Sequence, residues 1–523
     1  MVVYNRHGIS ESTSLQSPGT PQSFWKKRCC HAGNSDGFTV ISSCFFVFTI
    51  AVTGSLIIQI HFGTGEVTPH GAVASDDQTC SEIGIHTIRD GGSAADAAIA
   101  TLLCLSVTQP HWWCVVLIHD HKLNESKILD FMVLHKTGNS TTGVPGFLKG
   151  LERLHKLYGK LPFKDLIHPA IKLAREGFIA SKQLVDALRK VDFNLVNLNF
   201  QNEFFPKGIM IKENQVLVRK NYAKFLEAVS IGGADEIHLL KYRTEMMEAF
   251  DALRSDVTID DLLDYEIIER KLVRERLFNV TISTVGPPFG GLQVIAVQPD
   301  SDILNETSTL MTKLTSHGFS LSDLPHPTVP ESVASQVSVI DTFDLYVSII
   351  VGLGDSFGSK YMTEHGVILN RDSENANRGG AMFDGRHISS FTPLTISDTN
   401  NICGDRVVLA SGSWGALLQT CAQLIFRNLD MISAIAQPRI TLGTEPKVLL
   451  LNDFNKQVEK LPPEVREYLK NEEHFKLSGL FTPLVVNGVS KSKDVIVSHS
   501  DPRGGGIAAR LEEKVGNFNE TDL

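Results

Sequence analysis

Apolar residues follow two patterns along this chain, one continuous and one periodic. From Phe38 to Ile60 the sequence is apolar or weakly polar and contains no charged residue. A run of this length is sufficient for a helix to cross a lipid bilayer. After it, apolar and polar positions are interleaved, which is typical of helices and strands that face water on one side. The pattern therefore predicts an N-terminal membrane anchor followed by a globular region.

The clearest periodic pattern lies between Gly143 and Phe178 and predicts two amphipathic helices. The first has leucines at helical spacing and a glycine where the helix would end; these are Leu148, Leu151, Leu154 and Gly159. The second is expected to begin just after Pro162 and to end at Gly177. Its apolar face is formed by Leu166, Ile167, Ala170, Ile171 and Ala174.

Charges beside the apolar run predict the orientation of the anchor. Lys26, Lys27 and Arg28 precede it, and no lysine or arginine follows until Arg89. The positive-inside rule therefore predicts a cytosolic N-terminus and an extracellular or lumenal C-terminal region, a single-pass type II topology. A cleaved signal peptide is the alternative. The long polar segment ahead of the run, 1–36, favours a retained anchor.

Glycosylation sequons agree with an external C-terminal region, since all of them follow the anchor. The acceptor asparagines are Asn124, Asn139, Asn279, Asn305 and Asn519. The cysteines on the same side are odd in number, so at least one is expected to be free or to pair with another chain; they are Cys80, Cys104, Cys114, Cys403 and Cys421. Their spacing does not predict a metal site.

Composition limits the class of partner. The chain has 523 residues, a formal net charge of −10 and ordinary hydrophobic and charged fractions of 42% and 21%. This length predicts several domain-sized units. With no basic stripe to neutralise phosphates, nucleic acid is not an expected partner.

Several motifs together resemble one enzyme family. The segment 143–178 is similar to a VPG turn followed by G-L-x-x-x-H-x-x-Y-G-x-L-P and P-A-I-x-L-A-x-x-G-F, and other matches follow in the same order along the chain. These are Asp90–Ala100, with Ser93 as a helix cap, Thr258–Glu266, Pro287–Gly291, Ser356–Lys360 and the following strand Val367–Asn370. The set resembles the gamma-glutamyltransferase (glutathione hydrolase) family, from about residue 70 to the C-terminus.

The resemblance implies a fold and a division of the chain. Family members are N-terminal nucleophile hydrolases, so the expected fold class is α/β (α+β), an αββα four-layer sandwich with two antiparallel sheets between helices, here preceded by a transmembrane helix. The expected divisions are a disordered tail 1–36, an anchor 37–60, a large-subunit-like region 61–333 and a small-subunit-like region 334–523. No cofactor is implied.

The same resemblance predicts an impaired nucleophile. Family members cleave their own chain before a threonine, whose hydroxyl then attacks gamma-glutamyl amides with its own α-amine as base. The family strand T-x-H-x-S-V-V aligns with Ala334–Ile340, which places Ala334 at the threonine. A methyl group cannot act as a nucleophile. A register shifted by one residue would offer Ser335, but it would misalign the rest of the strand.

Other pocket positions are partly retained. The arginine that would bind the substrate carboxylate aligns with Met132, the asparagine before F-G-S aligns with Gly354, and a segment of the family is missing between Met132 and Gly143. An incorrect gene model would also produce that shortening. The resemblance still assigns substrate-binding roles to Ser389, Ser390, Gly412 and Asp372, with Gly412 and Ser413 in place of the family's oxyanion-binding glycine pair.

Two functions follow as hypotheses. By lineage the chain is expected to be a membrane-bound gamma-glutamyltransferase-type protein of glutathione metabolism, which would bind glutathione or gamma-glutamyl compounds if its pocket is functional. By its residues it is expected to be catalytically impaired. The alternative is a pseudoenzyme ectodomain that acts through protein interaction, with a heteromer containing an active family member as one form of this.

Overall fold

The computed structural model describes residues 37–62, 67–110, 113–134, 141–295, 334–371, 382–401, 403–437, 439–442, 448–452, 476–479, 485–493 and 495–514. The chain divides into two compact units, Met1–Glu66 and Val67–Leu523. The sequence-based division at residue 334 lies inside the second unit and stays a prediction.

In the first unit the described residues form a single helix, α1 (Gly37–Phe62). Its segment Phe38–Ile57 has a mean hydropathy of 2.1 and is long and apolar enough to cross a membrane, by length and composition. The predicted disordered tail, 1–36, lies outside the described residues.

The second unit is built on two antiparallel sheets. The seven-stranded sheet has the order β20-β1-β9-β10-β2-β3-β6. Its strands are β1 (Val67–Ala74), β2 (Trp113–Asp120), β3 (Glu125–Phe131), β6 (Ile268–Arg270), β9 (Ala334–Ile340), β10 (Leu345–Gly352) and β20 (Ala509–Lys514). The six-stranded sheet has the order β19-β18-β14-β13-β8-β7. Its strands are β7 (Leu272–Leu277), β8 (Val280–Val285), β13 (Thr392–Asp398), β14 (Arg406–Ser411), β18 (Asn487–Ser492) and β19 (Val495–His499).

The other described strands form three small sheets. Two-stranded pairs are formed by β4 (Phe178–Ile179) with β5 (Val216–Leu217) and by β11 (Met382–Phe383) with β12 (Arg386–His387). A three-stranded sheet contains β15 (Arg439–Leu442), β16 (Val448–Asn452) and β17 (Lys476–Gly479).

Helices cover the outer faces of the two large sheets. Most precede residue 300: α2 (Gln78–Arg89), α3 (Ala94–Thr108), α4 (Phe147–Tyr158), α5 (Phe163–Glu176), α6 (Lys182–Leu188), α7 (Leu198–Phe204), α8 (Lys220–Gly232), α9 (Asp235–His238), α10 (Lys241–Ala252), α11 (Ile259–Leu263) and α12 (Gly291–Ile295). In the described residues after β14 the helices are α13 (Trp414–Ile425) and α14 (Met431–Ala436). The order helix, sheet, sheet, helix is the predicted four-layer sandwich.

Helix α3 packs closely against the seven-stranded sheet. Ser93 caps α3 as the sequence predicted, and it forms a capping box with Asp96, in which Ser93 Oγ accepts from Asp96 N at 3.1 Å. Every residue of α3 is buried, because its alanines let it lie against β9 and β10 of the seven-stranded sheet. A disulfide between Cys80 and Cys104 joins α2 to α3.

The two amphipathic helices predicted from the sequence are confirmed as α4 and α5. Helix α4 ends before Gly159, and α5 runs from Phe163 to Glu176 before Gly177, whose φ of +101° favours glycine. A Cβ at Gly150 would lie 2.1 Å from Cγ of Phe131, so glycine lets α4 approach β3. The predicted strand at 367–370 is wrong: after the turn at 364–366 this segment is hydrogen-bonded back to 359–363, with a single bridge between Ile368 and Met362, and it joins neither large sheet.

Candidate functional site

Ala334 begins β9, at one end of the space between the two large sheets. It lies opposite Gly352 of β10 in the antiparallel ladder. Because side chains alternate along a strand, Ala334, Ser338 and Ile340 share one face. Ser338 Oγ donates to the carbonyl of Asn487 in β18 at 3.0 Å, which shows that this face is directed at the six-stranded sheet.

Ser335 lies on the opposite face of the same strand. Its side chain is buried, and its Oγ donates to Oε1 of Gln109 at 2.6 Å. Gln109 follows directly after α3, so Ser335 is directed at the helical layer. Using Ser335 in place of Ala334 would therefore move the reacting side chain from the space between the sheets to the packed interface with the helices.

Met132 belongs to an apolar cluster between the sheets. The buried members come from both sheets and the loops beside them: Val115, Leu117, Ile128, Met132, Val133, Val285, Phe289, Ile350, Phe391 and Ala410. Ala334, which is partly buried, packs against this cluster. The two positions at which the resemblance expects a hydroxyl and a guanidinium thus lie in or beside one apolar cluster.

A buried ion cluster lies beside Met132, and the sequence did not predict it. Asp130 pairs with Arg270 Nη2 at 2.8 Å and with Arg386 Nε at 3.2 Å. Asp130 Oδ1 also accepts from the backbone N–H of Met132 at 3.0 Å. Tyr265 OH donates to the Met132 carbonyl at 2.8 Å. The backbone of Met132 is therefore held by polar groups on both sides while its side chain is in the apolar cluster.

Ser389 and Ser390 are both buried and already engaged with protein groups. Ser389 Oγ accepts from Phe391 N at 3.2 Å. Ser390 Oγ donates to the carbonyl of Gly412. Both hydroxyl groups thus make hydrogen bonds within the protein, and the substrate-binding role that the resemblance assigns to them stays a prediction.

Gly412 and Ser413 follow β14 and lead into α13. The N–H of Ser413 donates to Ser411 Oγ at 3.1 Å, so one of the two backbone donors expected for an oxyanion has a protein acceptor. Ser413 Oγ caps α13 by accepting from Ala416 N at 3.1 Å. A Cβ at Gly290 would lie 2.7 Å from Cβ of Trp414, so the Pro287–Gly291 loop is packed tightly against the start of α13.

The remaining predicted residues divide into described and undescribed positions. Gly354, at the end of the loop after β10, has a φ of +79° and a bridge to Arg371. Asn124 and Asn279 are exposed in the β2–β3 and β7–β8 turns. Asp372 and the sequons at Asn139, Asn305 and Asn519 lie outside the described residues. The side chains of Asp77, Cys80 and Cys104 lie together, but the two sulfurs form the disulfide and are not thiolate ligands.

A buried carboxyl group supports β9 just beyond Ala334. Asp76 Oδ2 accepts from the backbone N–H of Gln336 at 3.0 Å, and its Oδ1 accepts from Asn487 Nδ2 at 2.7 Å. Burial raises the pKa of Asp76 to about 8, although these two hydrogen bonds oppose the shift. Asp76 thus joins β1, β9 and β18 near the start of the candidate nucleophile strand.

We expect Asp76 to make the unfolding free energy depend on pH. Because the folded state keeps a proton that the unfolded state releases near pH 4, stability falls as pH rises from about 4 to about 8. The slope contributed by this group approaches about −1.4 kcal/mol per pH unit. Urea unfolding at several pH values should show a flatter profile for Asp76→Asn. The exposed Asp90→Asn variant should keep the wild-type slope, and equal slopes for all three proteins would contradict the assignment.

Comparison with known proteins gives the lineage. The family model described as gamma-glutamyltranspeptidase matches residues 80–132, 119–299 and 299–511. The chain belongs to the gamma-glutamyltranspeptidase family. Its predicted relationship is confirmed, and the matched residues include the candidate site.

Similar proteins include both long and partial matches. Glutathione hydrolase 7 of Homo sapiens is 24% identical over 557 residues, covering 90% of this chain and 83% of the relative. Scoloptoxin SSD14 of Scolopendra dehaani is 30% identical over 245 residues, covering 42% of each chain. Members of this gamma-glutamyltranspeptidase family act on glutathione and gamma-glutamyl compounds.

A solved structure supports the fold. The crystal structure of cephalosporin acylase from Bacillus halodurans superposes with a TM-score of 0.70 at 17% identity, covering 86% of this chain and 96% of that one. At this identity the similarity concerns the fold. It agrees with the N-terminal nucleophile hydrolase sandwich expected from the sequence.

Proposed function

We propose that this family member is a non-catalytic ectodomain, which neither cleaves its own chain nor hydrolyses gamma-glutamyl amides. The observation that carries the proposal is the environment of Ala334. Its methyl group borders an apolar cluster that contains Met132, at the position where the family reaction needs a hydroxyl group. Without a nucleophile beside a base, neither chain cleavage nor acyl transfer has a first step.

The surroundings of Ser335 argue against a substitute nucleophile. Its hydroxyl is buried on the helix-facing side of β9 and donates to Gln109. For Ser335 to attack a substrate between the sheets, β9 would have to turn over, so that its two faces exchange places. That rotation would turn Val337 and Val339, which are fully buried against the helices, into the space between the sheets.

The remaining parts of the pocket support the same proposal. Met132 removes the guanidinium that would form a bidentate pair with a carboxylate. Ser390 Oγ and the Ser413 N–H are both used within the protein. A gamma-glutamyl ligand would therefore have to break protein hydrogen bonds to gain its own, which lowers its affinity.

The same proposal covers location and partners. The apolar helix around Phe38–Ile57 and the preceding basic residues support a type II membrane anchor, with the ectodomain outside the cytosol. The exposed turns at Asn124 and Asn279 are suitable for N-glycosylation in that orientation. Such an ectodomain would act through protein interaction, a heteromer with an active family member being one case.

Expression of the full chain in secretory cells tests the proposal. After removal of N-glycans, a denaturing gel should show one band near the chain mass of 57.5 kDa. Hydrolysis of a gamma-glutamyl chromogenic amide should equal that of mock-transfected membranes, with an active family member as the positive control. Two bands divided near residue 334, or turnover above the mock level that disappears in Ser335→Ala, would overturn the proposal.

A further inference from the structure

A second polar region lies between the sheets, at the end opposite Ala334. Strand β9 runs from Ala334 to Ile340, so its far end is about 20 Å away. The turns that follow β2, β7, β9, β13 and β18 all meet at this far end. Lys491 of β18 donates to Asp344 in the β9–β10 turn at 2.6 Å, which joins the two sheets there.

Arg406 is the central residue of this region. It begins β14 and shares a face with Val408, which packs between the sheets against Tyr346. Its Cζ lies 5.9 Å from the centroid of the Tyr346 ring. The side chain is only 6% exposed, and its Nε has no hydrogen-bond partner. A buried guanidinium without a carboxylate or carbonyl partner is costly in a folded protein.

Other donors surround Arg406. His119 of β2 lies against the same Tyr346 ring as Arg406, with the two ring centroids 6.0 Å apart. Arg406 and Arg274 both act to lower the pKa of His119, which agrees with a shared region for the three side chains. Arg274 is exposed at the rim, where its Nε donates to Ser283 Oγ at 3.2 Å. Burial lowers the pKa of His119 to about 4, so at neutral pH its ring is uncharged. Its Nδ1 shares a hydrogen bond with Ser126 Oγ at 2.9 Å, and when Ser126 is the donor, Nε2 carries the ring N–H that can face an anion.

The acidic groups nearby do not balance these cations. Burial alone would raise the pKa of Asp344, yet Lys491 and Arg406 hold it below its ordinary value. Asp344 is thus an anion that Lys491 already pairs. Asp120 follows His119 on β2 and therefore faces away, and its Oδ1 accepts from Leu123 N at 3.1 Å. Arg406 and Arg274 remain without a carboxylate partner in the described part of the chain.

We propose that Arg406, Arg274 and His119 form a binding site for a small oxyanion between the two sheets. A tetrahedral phosphate or sulfate group fits this chemistry, because a guanidinium presents parallel N–H donors to such oxygens. The site is separate from the Ala334 region, so it is independent of whether the chain is catalytic. Binding would supply the partner that the buried Arg406 lacks.

Anion titration of the detergent-solubilised full chain tests this site. Inorganic phosphate and sulfate are added in separate series at constant ionic strength, with chloride as the balancing ion, and the thermal unfolding midpoint and calorimetric binding are measured. We expect a saturable rise in the midpoint with at least one of the two oxyanions. Arg406→Gln should weaken binding by about tenfold or more, because it removes charge-assisted hydrogen bonds.

Two further variants keep the test decisive. Arg274→Gln changes an exposed side chain and should weaken binding even if Arg406→Gln does not fold. Arg153→Gln removes one exposed arginine on α4 and should bind as the wild type does. A midpoint that responds equally to chloride, or oxyanion binding that is unchanged in Arg274→Gln, would overturn the proposal.

Discussion

Replacing Asp130 with asparagine is expected to lower the free energy of unfolding by about 3–5 kcal/mol, since it leaves two buried arginines without their carboxylate. Arg270 and Arg386 both pair with Asp130, and all three side chains are almost fully buried. Asparagine keeps the shape but supplies no negative charge. Its amide hydrogens would also be directed at guanidinium donors. Chemical denaturation of the full chain, followed by fluorescence, measures the change.

Arg270 itself provides the matched control. Its Nη1 pairs with Asp384, whose side chain is 58% exposed. Asp384→Asn removes the same kind of charge from the same arginine, but the pair is solvated, so we expect a loss of about 0–1 kcal/mol. Similar losses of unfolding free energy in the two variants would show that burial does not set the strength of these ion pairs and would contradict the prediction.

The local elements of this fold were predictable because they depend on near neighbours in the sequence. The repeat of Leu148, Leu151 and Leu154 and the glycine at 159 define α4 within one segment. Ser93 and Asp96 define the start of α3 in the same way. The similarity of the separate motifs then predicted the sandwich, since their order along the chain matches that of the family.

Contacts between distant segments could not be predicted in this way. Asp130 and Arg270 are 140 residues apart, and only the adjacent strands β3 and β6 bring them together. The hydrogen bond between Asp76 and Asn487 joins residues that are 411 positions apart, and it depends on the order of strands in both sheets. Strand alternation places Ser335 on the face of β9 opposite to that of Ala334. Only the position of Gln109 identifies that face as the one towards the helices.

A second large effect on stability is expected when positions 132 and 334 are changed to the residues that the family resemblance expects there. Met132→Arg is expected to lower the free energy of unfolding by several kcal/mol, because it inserts a third guanidinium beside Arg270 and Arg386 and buries charge in an apolar cluster. Asp130 already pairs with both arginines, so the inserted one has no free carboxylate there. We therefore expect Ala334→Thr/Met132→Arg to unfold more easily than Ala334→Thr and to gain no gamma-glutamyl hydrolysis.

Met132→Leu separates charge from shape in this experiment. It keeps the apolar character and nearly the volume of methionine, so its cost should stay below about 1.5 kcal/mol. The same denaturation curves, together with the chromogenic amide assay, compare these four variants with the wild-type chain. A stable double variant that hydrolyses the amide would mean that the scaffold still holds a working pocket and that the residues at 334 and 132 are what block it. The expected result instead implies that the apolar cluster has become part of the structural core, so that restoring the chemistry requires rebuilding the packing around Asp130 as well.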